Sequence, residues 1–177
     1  FQYIAGYSYF VTDRHAKALE ICRKVATGKY PTPDGSLAPS DDRYNATLMI
    51  AQVYHSLRQH EKAIAEYEKV RDRFPDARRA LDYLLARELR LPEITTSTPG
   101  KEPKVELTYR NIPTCQMSVY KVDLMTLYLL RRDLSDITEI NLAGIKPFIE
   151  RKIALGEGKD YVEKETTVEL PEIKDPG

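Results

Sequence analysis

The residues of this 177-residue chain that could bind a metal or carry out catalysis are few and scattered. Such chemistry often uses histidine and cysteine, and the chain has only His15, His55, His60, Cys22 and Cys115. Zinc sites need Cys or His ligands at short paired spacings, and the zinc-protease helix needs H-E-x-x-H. Neither pattern occurs, so the sequence predicts no metal site and no disulfide framework.

Two further motifs fit a chemical site only in part. Residues 156–159 read GEGK, but a P-loop needs four residues between its glycines and a Ser or Thr after the lysine. One residue separates these glycines and Asp160 follows, so a hairpin turn is predicted. Asp41 and Asp42 form an acidic pair just before a helix that begins near Arg43. We expect them to cap this helix rather than to bind a cation. With no G-x-S-x-G either, the sequence predicts a non-enzymatic chain without catalytic residues or cofactor.

Composition narrows the classes of partner. Hydrophobic residues make up 42% of the chain, and 27 Lys and Arg cancel 27 Asp and Glu. This predicts folded domains without the net basic charge that holds nucleic acid. One end of the first half is basic, but acids are interleaved, which is typical of a solvated face: Lys62, Lys69, Arg71, Arg73, Arg78 and Arg79. The longest nearly apolar run, Leu124–Leu130, is far shorter than the ~20 residues of a membrane span.

The chain changes character near residue 92. Residues 1–91 are rich in Ala, Leu, Arg and Glu with helical periodicity, whereas 105–177 are rich in Val, Ile, Thr and Tyr with period-two stretches. Residues 92–104 hold three prolines, a glycine and four Ser or Thr, as a linker does. We therefore expect an α+β fold of two modules, 1–91 and 105–177, joined by the linker 92–104.

The first module contains a pattern that occurs twice. The segment Asn45–Pro75 predicts two antiparallel helices of about 14 residues, which approach closely at Ala51 and Ala63. Five residues at matching spacings lie 45 positions earlier, the excess length coming from a Gly- and Pro-rich loop, Thr27–Asp42. The matching pairs are Gly6 and Ala51, Tyr9 and Tyr54, Ala18 and Ala63, Cys22 and Tyr67, and Val25 and Val70.

This repeat resembles the tetratricopeptide repeat, a helix–turn–helix unit of about 34 residues. Asn45–Ala77 matches a whole unit, Phe1–Tyr30 a unit without its first residue or two, and Arg78–Leu91 a third, capping helix. That helix is expected to turn Leu81, Leu84 and Leu85 inward.

The resemblance implies a protein- or peptide-binding groove along the first helix of each hairpin, lined by Tyr3, Tyr7, Phe10, Leu48, Gln52 and His55. The alternative is that these residues pack against a preceding repeat or the second module. Leu48 and Met49 stand where family members that grip a terminal carboxylate carry polar or basic groups, so carboxylate capture is not predicted.

The second module predicts a β-sandwich. The expected strands are 105–110, 115–122 and 148–155, followed by one long strand or two short ones over 161–170, with a helix at 124–132 capped by Asp123. Tyr109–Asn111 (YRN), Val119–Asp123 (VYKVD) and the stretch from Thr166 to the Pro-Gly turn at 176–177 resemble the macroglobulin-type domain of bacterial alpha-2-macroglobulin-like proteins. This implies a fibronectin-like antiparallel sandwich, and the terminal turn predicts that the chain is cut before its last strand.

Three functions stay open. The first is a non-enzymatic scaffold within a larger alpha-2-macroglobulin-like protein, which implies a secreted or envelope location and proteases as partners of the full-length protein. The second is a repeat adaptor that binds a peptide or protein through its helical face. The third is a fragment of an enzyme whose active site lies elsewhere. The family's thioester motif, C-x-E-Q, is absent here, since Cys115 is followed by Gln116, Met117 and Ser118.

Overall fold

A computed structural model describes residues 2–98, 101–132 and 144–173. The chain divides into two compact units, Phe1–Ala86 and Arg87–Gly177. The first is mainly helical and the second is built on small antiparallel sheets. The predicted α+β layout of two modules is therefore confirmed, whereas the exact boundaries 1–91, 92–104 and 105–177 stay a prediction.

The first unit contains five helices that pack as successive neighbours. They are α1 (Gln2–Val11), α2 (His15–Thr27), α3 (Arg43–Ser56), α4 (His60–Glu68) and α5 (Pro75–Leu85). Their buried residues follow the helical periodicity of the sequence and include Ala18, Cys22, Val25, Ala51, Tyr54, Ala63, Tyr67 and Val70. The helix pair predicted over residues 45–75 is thus present as α3 and α4.

The α1–α2 and α3–α4 hairpins share one turn geometry, as the predicted repeat requires. Asp13 and Arg58 occupy the left-handed region at φ 57° and 56°. The backbone N–H of Arg14 donates to the Tyr9 carbonyl at 2.8 Å, and that of Gln59 to the Tyr54 carbonyl at 2.9 Å. Identical turns 45 positions apart show that the two hairpins are copies of one local structure.

The α1–α2 contact is tight because Gly6 has no side chain. A Cβ at Gly6 would lie 2.6 Å from the Sγ of Cys22, a distance that packed atoms do not tolerate. Cys22 is fully buried, and burial raises the pKa of its thiol to about 11. It therefore packs as a small, protonated apolar side chain.

The predicted loop Thr27–Asp42 contains a small hairpin of its own. Its strands are β1 (Lys29–Pro31) and β2 (Leu37–Pro39), paired antiparallel. The turn between them is fixed by Asp34, whose carboxylate accepts bonds from the Ser36 backbone N–H at 3.1 Å and the Ser36 hydroxyl at 2.8 Å. A hydrogen bond from the Thr32 hydroxyl, followed by these two bonds from Ser36, lowers the pKa of Asp34 to about 2.

Two helix predictions need correction. The second helix of the pair, α4, ends at Glu68, because the chain then tightens into turns in which Val70 and Arg73 donate to carbonyls three residues back. The capping helix predicted to reach Leu91 ends at Leu85, because Ala86 adopts an extended backbone (φ −58°, ψ 135°). Leu85 was expected to face inward but is 47% exposed.

In its described residues, 87–98, 101–132 and 144–173, the second unit contains two antiparallel sheets and one short helix. Its elements are β3 (Glu88–Arg90), β4 (Lys104–Arg110), β5 (Thr114–Val119), α6 (Leu124–Arg131), β6 (Ile149–Ala154) and β7 (Lys164–Glu169). The sheets are β3–β4–β7 and β5–β6. Asp123 caps α6 as predicted, since its carboxylate accepts from the backbone N–H groups of Met125 and Thr126 at 3.0 and 3.1 Å.

The two sheets share one hydrophobic core. Leu107, Tyr109 and Val168 of the first sheet pack with Ile149 of the second, and Met117 of β5 packs against them. Side chains from both sheets therefore contribute to a single core, as the predicted sandwich requires. The residues after Ile173, which include the terminal Pro-Gly turn, lie outside the described part of the chain.

The turn predicted over residues 156–159 is not a hairpin, because β6 and β7 belong to different sheets. The segment instead connects the sheets and is tied to the corner after β4. The backbone N–H of Leu155 donates to the Pro113 carbonyl at 2.8 Å, and that of Tyr161 to the Asn111 side-chain oxygen at 2.8 Å. Tyr109 donates its hydroxyl to the Leu155 carbonyl at 2.7 Å.

Ala63→Glu is expected to unfold the helical unit. Ala63 has no exposed surface, so a carboxylate there would be buried without a partner at a cost of several kcal/mol. Circular dichroism of the full chain should show loss of the helical melting transition. Ala65→Glu on the exposed side of α4 is the matched control and should change stability by at most about 0.5 kcal/mol. Equal melting of the two variants would contradict the packing described for α4.

Candidate protein-binding site

The six predicted groove residues lie on two helices that touch. Tyr3, Tyr7 and Phe10 lie on α1, whereas Leu48, Gln52 and His55 lie on α3. Helices α1 and α3 contact each other, and both pack against α2. Tyr7 is 50% exposed, and the other five side chains are partly exposed.

Phe10 and His55 make contacts inside their own hairpins. The Phe10 ring lies 6.0 Å from that of His15, and the His55 ring lies 5.9 Å from that of His60. His55 Nδ1 is also 3.3 Å from the hydroxyl of Tyr67. These two positions match in the repeat, so both stabilise the turn end of their hairpin, and their role toward a partner stays a prediction.

In the second hairpin, burial disfavours charge of either sign at His60 and Tyr67. Burial lowers the pKa of His60, and the nearby His55 and Arg58 lower it further. Burial also raises the pKa of Tyr67 to about 12, with Asp76 contributing. Near neutral pH the cluster of His55, His60 and Tyr67 therefore holds a neutral His60 and an un-ionised Tyr67.

Tyr3 lies at the other end of α1 and borders a cleft of about 560 Å³. Burial raises the pKa of Tyr3, and the negative charge of the nearby Asp42 carboxylate adds to the effect. The cleft lies between α1 and the β1–β2 hairpin and is lined by Gln2, Tyr3, Val25, Tyr30, Pro31, Thr32, Pro33, Ala38, Pro39, Ser40, Asp41 and Asp42. Tyr3 thus belongs both to the predicted groove and to the border of this cleft. The sequence pattern of α1 and α3, from which the groove was predicted, does not indicate the cleft.

The β1–β2 hairpin forms the wall that the sequence did not predict. Tyr30 and three prolines lie on this wall, and the Tyr30 hydroxyl donates to Gln2 Oε1 at 3.0 Å. One sequence feature could have indicated this wall. The loop Thr27–Asp42, which lengthens the repeat, contains a tyrosine next to closely spaced prolines. Rings and prolines supply apolar surface, and Asp41 and Asp42 supply negative charge at the edge. Such a cleft suits an extended segment that carries an aromatic or basic side chain.

Asp42 differs from its predicted role. It occupies the N-terminal cap position of α3, but its side chain accepts no bond from the helix backbone. Its Oδ1 instead accepts from the side-chain amide of Asn45 at 3.3 Å. The Asp42 carboxylate thus belongs to the edge of the cleft more than to the helix.

Lowering the pH from about 7.5 to about 5.5 is expected to destabilise the helical unit. The folded-state pKa of His60 lies below its usual 6.5, so the unfolded chain binds the proton more tightly. This contribution is present above pH 6.5 and is lost as the pH falls toward the folded pKa. Thermal melting should show a smaller pH dependence in His60→Gln than in the native chain. An unchanged pH dependence would contradict the assigned environment of His60.

Comparison with known proteins identifies one segment of this unit. Residues 45–77, which span most of α3, all of α4 and the start of α5, match the family model of the tetratricopeptide repeat. No curated protein and no solved structure matches the chain. Nothing found identifies a macroglobulin-type domain in the second unit.

Two properties of the described residues complete these findings. Among them, no group of three or more His, Cys, Asp or Glu could hold a metal ion. No helix within the described part of the chain is both long and apolar enough to cross a bilayer. The one positive match, residues 45–77, is to a repeat that typically mediates contact between proteins.

Proposed function

We propose that the chain is a non-enzymatic protein-interaction scaffold whose helical unit binds a protein or peptide segment. The observation that carries this proposal is the cleft of about 560 Å³ between α1 and the β1–β2 hairpin. It adjoins the first helices of two equivalent hairpins, one of which lies within the tetratricopeptide match. A partner segment would lie in the cleft and continue along α1 and α3.

The residues along this path have suitable chemistry. Tyr7 presents half of its surface to solvent, and large, rigid aromatic side chains of this kind often dominate binding energy. Tyr3 lies at the cleft border, and Leu48 and Gln52 add an apolar and an amide group from α3. An extended segment with an aromatic residue for the cleft and a basic residue near Asp41 and Asp42 fits this arrangement best.

A second candidate concerns the other unit. Two antiparallel sheets that share one core support a macroglobulin-like scaffold, as do the motifs at Tyr109–Asn111 and Val119–Asp123. In that case the chain acts in a larger secreted or envelope protein, with proteases as partners. The experiment below separates the two candidates, because only the first assigns partner binding to α1, α3 and the β1–β2 hairpin.

Tyr7→Ala is expected to weaken peptide binding by about tenfold or more. Peptides would be selected against the full chain from a random display library, and their affinities measured by calorimetry. Tyr128→Ala is the matched control, because Tyr128 is 52% exposed on α6 in the other unit. Equal affinities for the Tyr7→Ala variant and the native chain, across all selected peptides, would contradict the proposed site.

A further inference from the structure

Two arginines converge on one tyrosine at the start of α3. The Cζ of Arg73 lies 3.8 Å from the centroid of the Tyr44 ring, and the Cζ of Arg43 lies 4.3 Å from it. Arg43 Nη2 also donates to the Tyr44 hydroxyl at 3.3 Å. Arg43 is the first residue of α3, and Arg73 directly precedes the N-cap of α5, so the fold brings together charges from two separate segments.

The other basic residues near Arg73 are neutralised within the unit. Their ion pairs are Lys69 with Glu66 at 2.7 Å, Arg71 with Glu68 at 3.2 Å, Arg78 with Asp72 at 3.7 Å, and Arg79 with Asp76. Among the described residues, no carboxylate lies within 4.0 Å of the Arg43 or Arg73 guanidinium. The basic face predicted from the sequence is therefore internally ion-paired at four of its six residues, and the exceptions are Arg73 and Lys62, whose Nζ donates to the neutral Gln59 amide oxygen at 2.9 Å.

The nearby acids have partners of their own. Asp42 adjoins Arg43 in sequence, but its Oδ1 faces the amide of Asn45. Asp72 and Asp76, which flank Arg73, pair with other arginines. Two positive charges thus share one aromatic ring without a carboxylate between them, an arrangement that a bridging anion would stabilise.

The contacts that hold the Arg43 and Arg73 guanidinium groups in place leave some of their N–H donors available for a ligand. Arg43 uses Nη1 for the Ser40 carbonyl at 3.1 Å and Nη2 for Tyr44, and stacking on the ring orients both guanidinium groups. Each guanidinium carries five N–H donors in a planar fork that matches phosphate oxygens. The Tyr44 hydroxyl accepts from Arg43, so its own proton can be donated to a bound oxygen. The positive surroundings are also reflected in the lowered pKa of Tyr44, caused first by the Arg43 hydrogen bond and then by the charges of Arg43 and Arg73.

We propose that Arg43, Tyr44 and Arg73 form a binding site for a phosphate monoester, carried on a phosphorylated side chain of a partner segment. A phosphate monoester has a charge of about −1.5 to −2 at neutral pH and so matches two guanidinium groups, whereas a carboxylate matches one. The site uses none of the residues assigned to the cleft or to the groove, and its test is independent of the peptide-binding test above.

The test uses the full chain and four probes. These are an acetylated, amidated pentapeptide with a central phosphoserine flanked by alanines, its serine and glutamate counterparts, and inorganic phosphate. Affinities would be measured by calorimetry at low ionic strength, and the arginine Nε–Hε signals would be followed by nuclear magnetic resonance. The phosphopeptide should shift the signals of Arg43 and Arg73, and Arg73→Gln should weaken its binding by about tenfold or more.

Arg79→Gln is the matched control, because it removes the same charge from a paired arginine of the same unit and should change the affinity less than about twofold. Tyr44→Leu, which removes the ring and hydroxyl, should also weaken binding.

Equal losses in Arg73→Gln and Arg79→Gln would overturn the proposal in favour of a diffuse positive field. Equal binding of the serine or glutamate peptide would overturn the assignment to phosphate. Inorganic phosphate binding as tightly as the phosphopeptide would support the site but overturn a phosphorylated partner as its source.

Discussion

The helical unit depends on how closely the two helices of each hairpin approach. In the first hairpin the approach is set by Gly6, where even a methyl group would meet the sulfur of Cys22. In the second hairpin the equivalent positions are Ala51 and Tyr67, both buried. The repeat therefore keeps a small residue on the first helix and lets the opposing side chain on the second helix vary in size. Packing of this kind fixes the helix pair more strongly than helix propensity can.

This packing positions the surfaces to which we assign function. Because each hairpin keeps the same turn, α1 and α3 lie next to each other against α2, and the inserted β1–β2 hairpin adds a wall beside α1. The end of α4 and the start of α5 bring Arg73 to Tyr44. The inserted β1–β2 hairpin thus creates the cleft, and the connection between α4 and α5 creates the arginine pair. Neither feature follows from the repeat itself.

The sequence predicted the features that depend on local pattern, including the helices of the two hairpins, the main strands and the Asp123 cap. It could not predict features set by distant partners. Strand β3 has only three residues and exists because it pairs with β4, where Glu88 bonds the buried guanidinium of Arg110 at 2.7 Å. The segment 156–159 shows a turn composition, but only strand pairing reveals that it joins two sheets.

The most direct test of this account is the melting temperature of Gly6→Ala, measured on the full chain with and without Cys22→Ala. Helix propensity alone predicts that alanine stabilises α1 by about 1 kcal/mol. The close approach predicts the opposite sign, a loss of about 1–3 kcal/mol from overpacking, which Cys22→Ala should relieve because it removes the opposing sulfur. A higher melting temperature for Gly6→Ala in the native background would contradict the close approach on which the first hairpin is built.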